Sequence, residues 1–355
     1  MPANLTAPTV IPNDPTVSVI VPARNEEASL KTCLESLLAQ ENVAFEIIVV
    51  DDHSTDRTRE IAALFLENKI RTIEAAPLPA GWTGKNNAVA AGAKVARGQW
   101  LLFTDADTIH LPGSLARSIE EATRHRAALL SYSPQQIVSS FCEKAVMPVI
   151  FAELAATFRP AHVSDPNSPA AAANGQYILI AREAYDAVGG HAAIAASLLE
   201  DVALARAVKK SARKIFFRFA ADAVRTRMYR TFAQLREGWT KNLVLLFPSP
   251  VRLAALRATE FVLIMSSATI AIVSASRQHA KPALVASTIF VILYGAFLTR
   301  IRRAHFSWDA ILLAIFGLPL FSYLLLRSVR AHANGNVKWK GRKYSEEGNI
   351  LATGR

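Results

Sequence analysis

Three runs in the last third of the chain, residues 261–276, 282–299 and 310–326, contain no charged residue. Each approaches the roughly 17 to 25 residues that a membrane helix needs. A backbone crossing hydrocarbon must satisfy its own hydrogen bonds, so at these lengths a spanning segment is a helix. Buried core helices are the alternative reading. Three such runs in succession with Arg-rich borders favour membrane helices. Arg300, Arg302 and Arg303 mark the loop after the second run as cytoplasmic. The tail is equally basic, with Arg327, Arg330, Lys338, Lys340, Arg342 and Lys343. A third full crossing would place that tail outside, against the positive-inside rule. Gly317-Leu-Pro319 interrupts the third run, so a broken or re-entrant segment that returns the tail inside stays open beside a full crossing.

The hydrophobic fraction, 51%, is high for a soluble protein, and the excess lies in that last third. Lys and Arg outnumber Asp and Glu by 40 to 29, a formal charge of +11. No nucleic-acid module is recognisable, and much of the basic surplus flanks the apolar runs. An anionic membrane surface is therefore the expected partner, not nucleic acid. Cys33 and Cys142 are too few and too far apart for a disulfide framework, which fits a reduced cytoplasmic setting. The first 16 residues lack a basic start and an apolar core, and read as a disordered lead. The expected division is a lead (1–16), a globular domain (17–250), a transmembrane region (251–330) and a basic tail (331–355).

Between residues 17 and 250 strands and helices alternate. The β-branched run Val17–Val21 is a strand, and Asn25-Glu-Glu-Ala-Ser29 opens a helix with Leu30, Leu34, Leu37 and Leu38 on one face. Phe45–Val50 is a second strand ending in Asp51-Asp52, with a helix over about 56–68. A third strand covers about 70–75, an Ala-rich helix about 86–96, and a fourth strand 100–104. Residues 174–181 read as a further strand, "EAYDAVGGH" as a helix ending at Gly189-Gly190, and "LLEDVALARAVKKS" as a helix with an acidic first turn. This alternation calls for an α/β fold with an open, mostly parallel sheet covered on both faces. The apolar segment 144–159 is too short to span a bilayer and is expected to lie on its surface.

In such sheets ligands bind beyond the carboxyl ends of the strands. Asp51, Asp52, Asp105 and Asp107 all fall at carboxyl ends. The Asp-x-Asp of "LLFTDADT" suits a hard divalent cation, completed by substrate phosphates. Lys85, in "GWTGK", is the candidate phosphate partner, and Asp52 is placed to accept from a base or ribose. Glu200-Asp201 brings a third acidic feature from far along the chain, and an Asp off the metal suits a general base. Singly, each has a bland reading: Asp51 and Asp52, or Glu200 and Asp201, as helix caps, and Lys85 as a solvated loop charge. Together they supply metal, phosphate and base sites along one sheet edge.

The stretches "VSVIVPARNEEASLKTCLESLLAQ", "EIIVVDDHSTDRT", "GWTGKNNAVAAG", "WLLFTDADT", "NGQYILIAREAYDAVGGH" and "LLEDVALARAVK" resemble the family 2 glycosyltransferases with a GT-A fold, over about residues 17–242. The Gly-Trp-x-Gly-Lys element, the Asn-Gly-Gln strand and "VKWKGRKY" look most like the membrane-attached branch that glycosylates lipids. Hopanoid-associated, carotenoid and ceramide-type glucosyltransferases are relatives there. By that resemblance Pro22, Arg24, Glu26 and Asp52 line the nucleotide pocket with Lys85. Asp105 touches the sugar nucleotide, Asp107 holds Mg²⁺ or Mn²⁺ on the diphosphate, and Asp201 is the base. Asn174, Gly175, Gln176, Glu200 and Trp239 fall on the sugar or acceptor side. The family's Q/R-x-x-R-W element is imperfect: in "LREGW", Leu235 and Gly238 stand at the polar and Arg positions, and only Trp239 matches.

The resemblance implies an inverting, metal-dependent transfer of a sugar from a nucleotide-sugar donor, UDP-hexose by family default, to a lipid hydroxyl. The expected location is the cell membrane, multi-pass, with the catalytic domain cytoplasmic. Two alternative readings fit the sequence less well. The broken Trp239 element and the few spans disfavour a processive polysaccharide synthase. Retention of Asp105, Asp107 and Asp201 together disfavours a catalytically inactive nucleotide-binding scaffold.

Overall fold

The computed structural model describes residues 15–65 and 70–344. Most of the expected lead and the end of the basic tail lie outside the described residues. The chain forms two compact units. The first comprises residues up to 133, 173–195 and 200–224, and the second 134–172, 196–199 and everything from 225. Residues 134–172 and 225–250, assigned from sequence to the globular domain, thus cluster with the C-terminal helices.

The first unit is built on a seven-stranded sheet: β1 (Val17–Ala23), β2 (Phe45–Asp51), β3 (Ile70–Glu74), β4 (Trp100–Phe103), β5 (Leu129–Ser133), β6 (Ile178–Ala181) and β7 (Ile215–Phe219). Their order across the sheet is β3-β2-β1-β4-β6-β5-β7. All neighbours run parallel except β6, which is antiparallel to both β4 and β5. Strand β1 lies between β2 and β4, and Val17, Val19, Ile20 and Val21 are fully buried. This is the near-continuous apolar run expected of a strand covered on both faces.

The covering helices are α1 (Leu30–Leu38), α2 (Thr58–Ala63), α3 (Gly84–Val95), α4 (Ser114–Arg124), and, later in the chain, α7 (Arg182–Ala187) and α8 (Glu200–Lys210). Helix α1 buries Leu30, Cys33, Leu34 and Leu37, a spacing that lays one stripe on the sheet. Helix α3 starts at Thr83, whose side chain accepts from Asn86 N, and comes close to the sheet at Gly92. A Cβ on Gly92 would lie 2.5 Å from Ile20 Cγ2 and 2.9 Å from Val50 Cγ2. That close approach fixes α3, and with it Lys85 in its first turn, over β1 and β2.

Register then sets the site's location. Pro22 pairs with Val50 and Ala23 with Asp51, while Ile20 pairs with Phe103, so β1, β2 and β4 end side by side. Ile178 stands opposite Phe103 on the antiparallel β6, which brings the segment before β6 to the same edge.

The second unit holds α5 (Phe141–Thr157), α6 (Pro160–Ser164), α9 (Phe232–Leu246), α10 (Pro250–Ser276), α11 (Ala280–Ile301), α12 (Trp308–Leu313) and α13 (Gly317–Ala333). A hairpin of β8 (Val337–Trp339) and β9 (Arg342–Tyr344) follows. Three helices, Pro250–Ser276, Ala280–Ala304 and Trp308–Ala333, are long and apolar enough to cross a membrane. The surface position expected for residues 144–159 is not what the structure shows. Val146, Val149 and Ile150 of α5 are fully buried and share a core with Leu243, Phe297, Leu318 and Phe321. An apolar segment flanked by polar residues serves equally as a core helix, and packing decides here.

One ion cluster ties this unit together. Glu153 of α5 pairs with Arg257 of α10 (Nε–Oε1 2.9 Å) and with Arg300 of α11. Glu260 closes the ring, 2.8 Å from Arg257 and 2.7 Å from Arg300. All four side chains are at most one-fifth exposed, so removing one charge strands its partners in a poorly solvated place. Glu153→Gln is expected to destabilise the protein by roughly 3 kcal/mol, read as a lowered midpoint of thermal unfolding in detergent. An unchanged midpoint would show the cluster to be dispensable.

Candidate active site

The cleft opens at the strand edge of the first unit. Pro22, Lys85, Phe103, Asp105, Gly175, His191 and Glu200 are among its walls, around roughly 240 Å³ of space continuous with solvent. Lys85 stands at its centre. Its Nζ lies 2.7 Å from Asp105 Oδ1 and 2.6 Å from Glu200 Oε1. Expected as a phosphate partner, Lys85 here neutralises two carboxylates delivered by distant parts of the chain. Burial alone would lower its pKa, but Asp105 and Glu200 outweigh burial and hold it well above the usual range.

The groups around Lys85 are acidic. Burial raises the Asp105 pKa, Lys85 opposes the rise, and Glu200 and Glu26 add to it. Asp107 follows two residues on, in the turn that Thr108 N closes on Asp105 O at 3.1 Å. Cys33 of α1 backs onto this turn. Burial, with Asp107, Glu26 and Asp105 nearby, holds its thiol protonated.

Asp201 is fixed through main-chain groups. Its Oδ2 accepts from Gly175 N at 3.0 Å and its Oδ1 from Val202 N at 2.7 Å. Burial raises its pKa to about 6, with Glu200 adding to the rise and Lys85 pulling it down. Gly175 approaches these side chains closely. A Cβ there would lie 3.0 Å from Lys85 Nζ, 3.2 Å from Glu200 Oε1 and 3.6 Å from Asp201 Oδ2. Asn174-Gly175-Gln176, expected to begin a strand, is instead a turn. Asn174 Oδ1 accepts from Gln176 N at 3.0 Å, and Asn174 N donates to Ser131 Oγ at 2.8 Å. Gln176 is buried, and its carbonyl accepts from Thr104 Oγ1 at 2.8 Å. Turn and strand end are thus stitched together beneath the cleft.

The other expected positions sort as follows. Pro22 lines the cleft. Arg24 Nη1 donates to Asp52 O at 2.6 Å, and Asp52 N donates to Ala23 O at 2.8 Å, which joins the ends of β1 and β2. Glu26 accepts from Ser29 Oγ at 2.8 Å. Asp51 does not cap the following helix, whose N-cap is Arg57; its carboxylate accepts from Ser54 N and pairs with Arg59 at 2.6 Å. Trp239 belongs to the second unit, where it is 2% exposed and donates Nε1–H to Met147 Sδ at 3.4 Å. The Arg missing from its motif has a physical account. A Cβ on Gly238 would lie 2.4 Å from Tyr229 Oη, so the Tyr229 ring fills the space a side chain there would need.

Sequence reasoning passed over His191. It lines the cleft, and its ring stands edge-on to Phe103, with centroids 4.9 Å apart at 82°. Its backbone N donates to Tyr185 Oη at 3.1 Å, and Tyr185 Oη lies 3.0 Å from Nδ1. Burial lowers its pKa to about 4, so the ring is neutral at physiological pH. Asn86 Nδ2 donates to the carbonyls of Ile194 and Ala195, both at 2.9 Å, which anchors the His191 turn to the start of α3. The only signal was the His of "GGH", read as a helix stop.

Asp105, Asp107, Glu200, Asp201 and Lys85 therefore share one edge. Among the described residues no group of three or more His, Cys, Asp or Glu could by itself hold a metal ion. Excess carboxylate beside an open cleft suits a hard cation that takes one or two protein oxygens and fills its shell from a phosphorylated ligand.

The family model "Glycosyl transferase family 2" matches residues 18–186. A 4,4'-diaponeurosporenoate glycosyltransferase of Staphylococcus aureus (strain USA300) is 28% identical over 96% of this chain and 91% of its own length. The same enzyme of strain N315 is 27% identical over 94% and 89%. Among solved structures, the mannosyltransferase PcManGT from Pyrobaculum calidifontis, in complex with GDP-Man and Mn²⁺, aligns with a TM-score of 0.54 and 17% identity. The alignment covers 90% of this chain and 87% of that one. At that identity the likeness shows the fold alone, which is of the GT-A type. Residues 18–186 are a family 2 glycosyltransferase domain, and the chain is a glycosyltransferase.

Proposed function

We propose that the chain transfers a sugar from a nucleotide-sugar donor, UDP-hexose by family default, to a hydroxyl of a membrane lipid, with inversion at the anomeric carbon. The observation that carries this reading is the placement of Asp201, a carboxylate with an elevated pKa held beside, but not on, the Asp105–Asp107 turn. The carotenoid acceptor named for the curated relatives supports a long apolar acceptor, and the three apolar helices support attachment at a membrane.

Pro22, Arg24, Glu26 and Asp52 line the nucleotide end of the donor, and Asp105 orients its sugar. Asp107, with Asp105 beside it, would hold Mg²⁺ or Mn²⁺ together with the donor's diphosphate, as the mannosyltransferase's bound Mn²⁺ suggests. When bound, that ion offsets charge developing on the departing diphosphate. Asp201 accepts the proton of the acceptor hydroxyl as its oxygen forms the new bond to the anomeric carbon. The bond to the diphosphate breaks on the opposite face, and the diphosphate keeps the electron pair. Gly175 N–H and Val202 N–H hold the Asp201 carboxylate in place, so its geometry needs no neighbouring side chain. Lys85 keeps Asp105 and Glu200 from repelling the donor.

Asp201→Asn is expected to lower transfer by roughly 10²- to 10⁴-fold while donor affinity stays near that of the unaltered protein. If donor binding fell in step with transfer, Asp201 would be a binding residue. A base must be deprotonated to act, and the Asp201 pKa is raised to about 6. Transfer is therefore expected to be pH-independent above about 6 and to fall about tenfold per unit below it. Because Lys85 pulls that pKa down, Lys85→Met should move the acid limb to higher pH; a limb that stayed in place would separate Lys85 from the base. Asp107→Ala should abolish the difference between donor titrations with Mg²⁺ or Mn²⁺ and with chelator. Retention of that difference would reject Asp107 as the ion's ligand.

A further inference from the structure

We infer that the chain crosses the bilayer only twice, as the α10–α11 hairpin. The third apolar segment, α12–α13, lies in the plane of the membrane surface with a one-sided apolar stripe against an anionic leaflet. This rests on reading the hairpin as membrane-crossing.

Burial separates the three candidate helices. In the apolar stretches of α10 and α11 only about a tenth of the residues are buried within the protein, against 56% in the third segment. The hairpin is exposed around its circumference: Val262, Leu263, Ile270 and Ile272 on α10, and Leu284, Val285, Val291 and Ile292 on α11, are each more than half exposed. That is the surface of a helix whose solvent is lipid. Helix α10 has 27 residues and is about 40 Å long at the usual helical rise, enough to cross a hydrocarbon core of roughly 30 Å.

The third segment is built differently. It is broken at Ala314–Phe316 by a single 3₁₀ turn, after which α13 starts at Gly317. A Cβ on Gly317 would lie 1.9 Å from Ala145 O, so α13 is pressed against α5 backbone to backbone. Further along, Ser322 Oγ donates to Ala254 O at 2.9 Å, in the second turn of α10 and ahead of the Arg257–Glu260 charges. Ser328 Oγ donates to Thr240 O at 2.7 Å and accepts from Val244 N at 3.0 Å, both on α9. His332 Nε2 lies 2.9 Å from Lys241 O, and Lys340 N donates to Glu237 Oε1 at 3.1 Å. Each of these partners lies outside the apolar stretches of the hairpin, on α5, on α9 or before Arg257. A helix held along its length by the entry side of the hairpin does not run to the other face of the bilayer.

What α12–α13 leaves exposed is a stripe. Trp308, Leu312, Phe316, Tyr323 and Leu326 are between 43% and 58% exposed, at spacings of 4, 4, 7 and 3 residues that keep them on one helical face. Aromatic residues of this kind favour the headgroup boundary. The stripe is bordered by cations: the Arg302 guanidinium lies 5.1 Å from the Trp308 ring centroid, and exposed Arg327 and Arg330 follow its far end. An apolar face with a basic rim, continuous with a hairpin entering lipid, fits an anionic leaflet. The basic tail then stays on the side from which the chain enters α10.

The test uses the full-length chain in spheroplasts, with Cys142 replaced by Ser and single cysteines introduced by Ala233→Cys on α9, His279→Cys in the hairpin turn and Asn334→Cys after α13. A membrane-impermeant maleimide should label His279→Cys in intact spheroplasts, and Ala233→Cys and Asn334→Cys only after lysis. Labelling of Asn334→Cys together with His279→Cys would establish a third crossing and overturn the inference while leaving the hairpin standing. Failure of His279→Cys to label before lysis would instead overturn the hairpin reading itself. In vesicles of phosphatidylglycerol and phosphatidylethanolamine, a nitroxide at Leu312→Cys or Tyr323→Cys should report headgroup depth, and one at Val291→Cys a deep position. A deep Leu312 or Tyr323, or a fully aqueous one, would overturn the in-plane placement.

Discussion

The bridge from Lys85 to Asp105 and Glu200 brings together three segments that the sequence keeps far apart: the start of α3, the end of β4 and the start of α8. Carboxylates crowded into a half-buried cleft repel one another, and desolvation makes each costlier to ionise. One ammonium, 2.7 Å from Asp105 and 2.6 Å from Glu200, offsets part of that cost. Asp201, next to Glu200 but without its own contact to the ammonium, is left with a carboxyl whose pKa is raised to about 6. The two acidic residues of "EDV" thus differ in their contacts: Glu200 pairs directly with Lys85, while Asp201 is held by the main-chain N–H groups of Gly175 and Val202.

The fold was legible where apolar runs are long and unbroken. Strands β1, β2 and β4 and the stripe of α1 follow directly from residue pattern, because a strand covered on both faces admits little but Val, Ile and Leu. Strand β7, by contrast, lies at the sheet edge and carries Arg218, whose guanidinium stands 4.5 Å over the Tyr132 ring and pairs with Glu121 at 2.9 Å. A charged side chain that pairs with Asp222 four residues on, and with partners 86 and 97 positions away, breaks the local apolar pattern, and nothing nearby announces the distant ones. The reversed direction of β6 is likewise absent from periodicity, which is the same read either way.

The site was legible in its carboxylates and its lysine, since those side chains are costly to bury without a task. It was not legible in His191, whose place in the cleft depends on Tyr185 and on Asn86, and Gly175 was named by resemblance alone, without the crowding that a Cβ there would meet at Lys85. Trp239 shows the converse. A residue conspicuous within a sequence motif turns out to be a buried side chain in the core of the second unit, and the polar position of the same motif, Leu235, is a core residue with it. An apolar segment such as α5 carries no mark that separates a membrane surface from a protein interior; only its neighbours do.

The ring of Glu153, Arg257, Glu260 and Arg300 bears on the order in which the protein assembles. Synthesis delivers α5, with its apolar body and its glutamate, roughly a hundred residues before either arginine exists. Until α10 and α11 have emerged, Glu153 lacks its counter-charges Arg257 and Arg300, and only α9 is there to cover α5. The Glu153 cluster can therefore close only after the hairpin has been made. Truncation anywhere before residue 300 would leave Glu153 without Arg300.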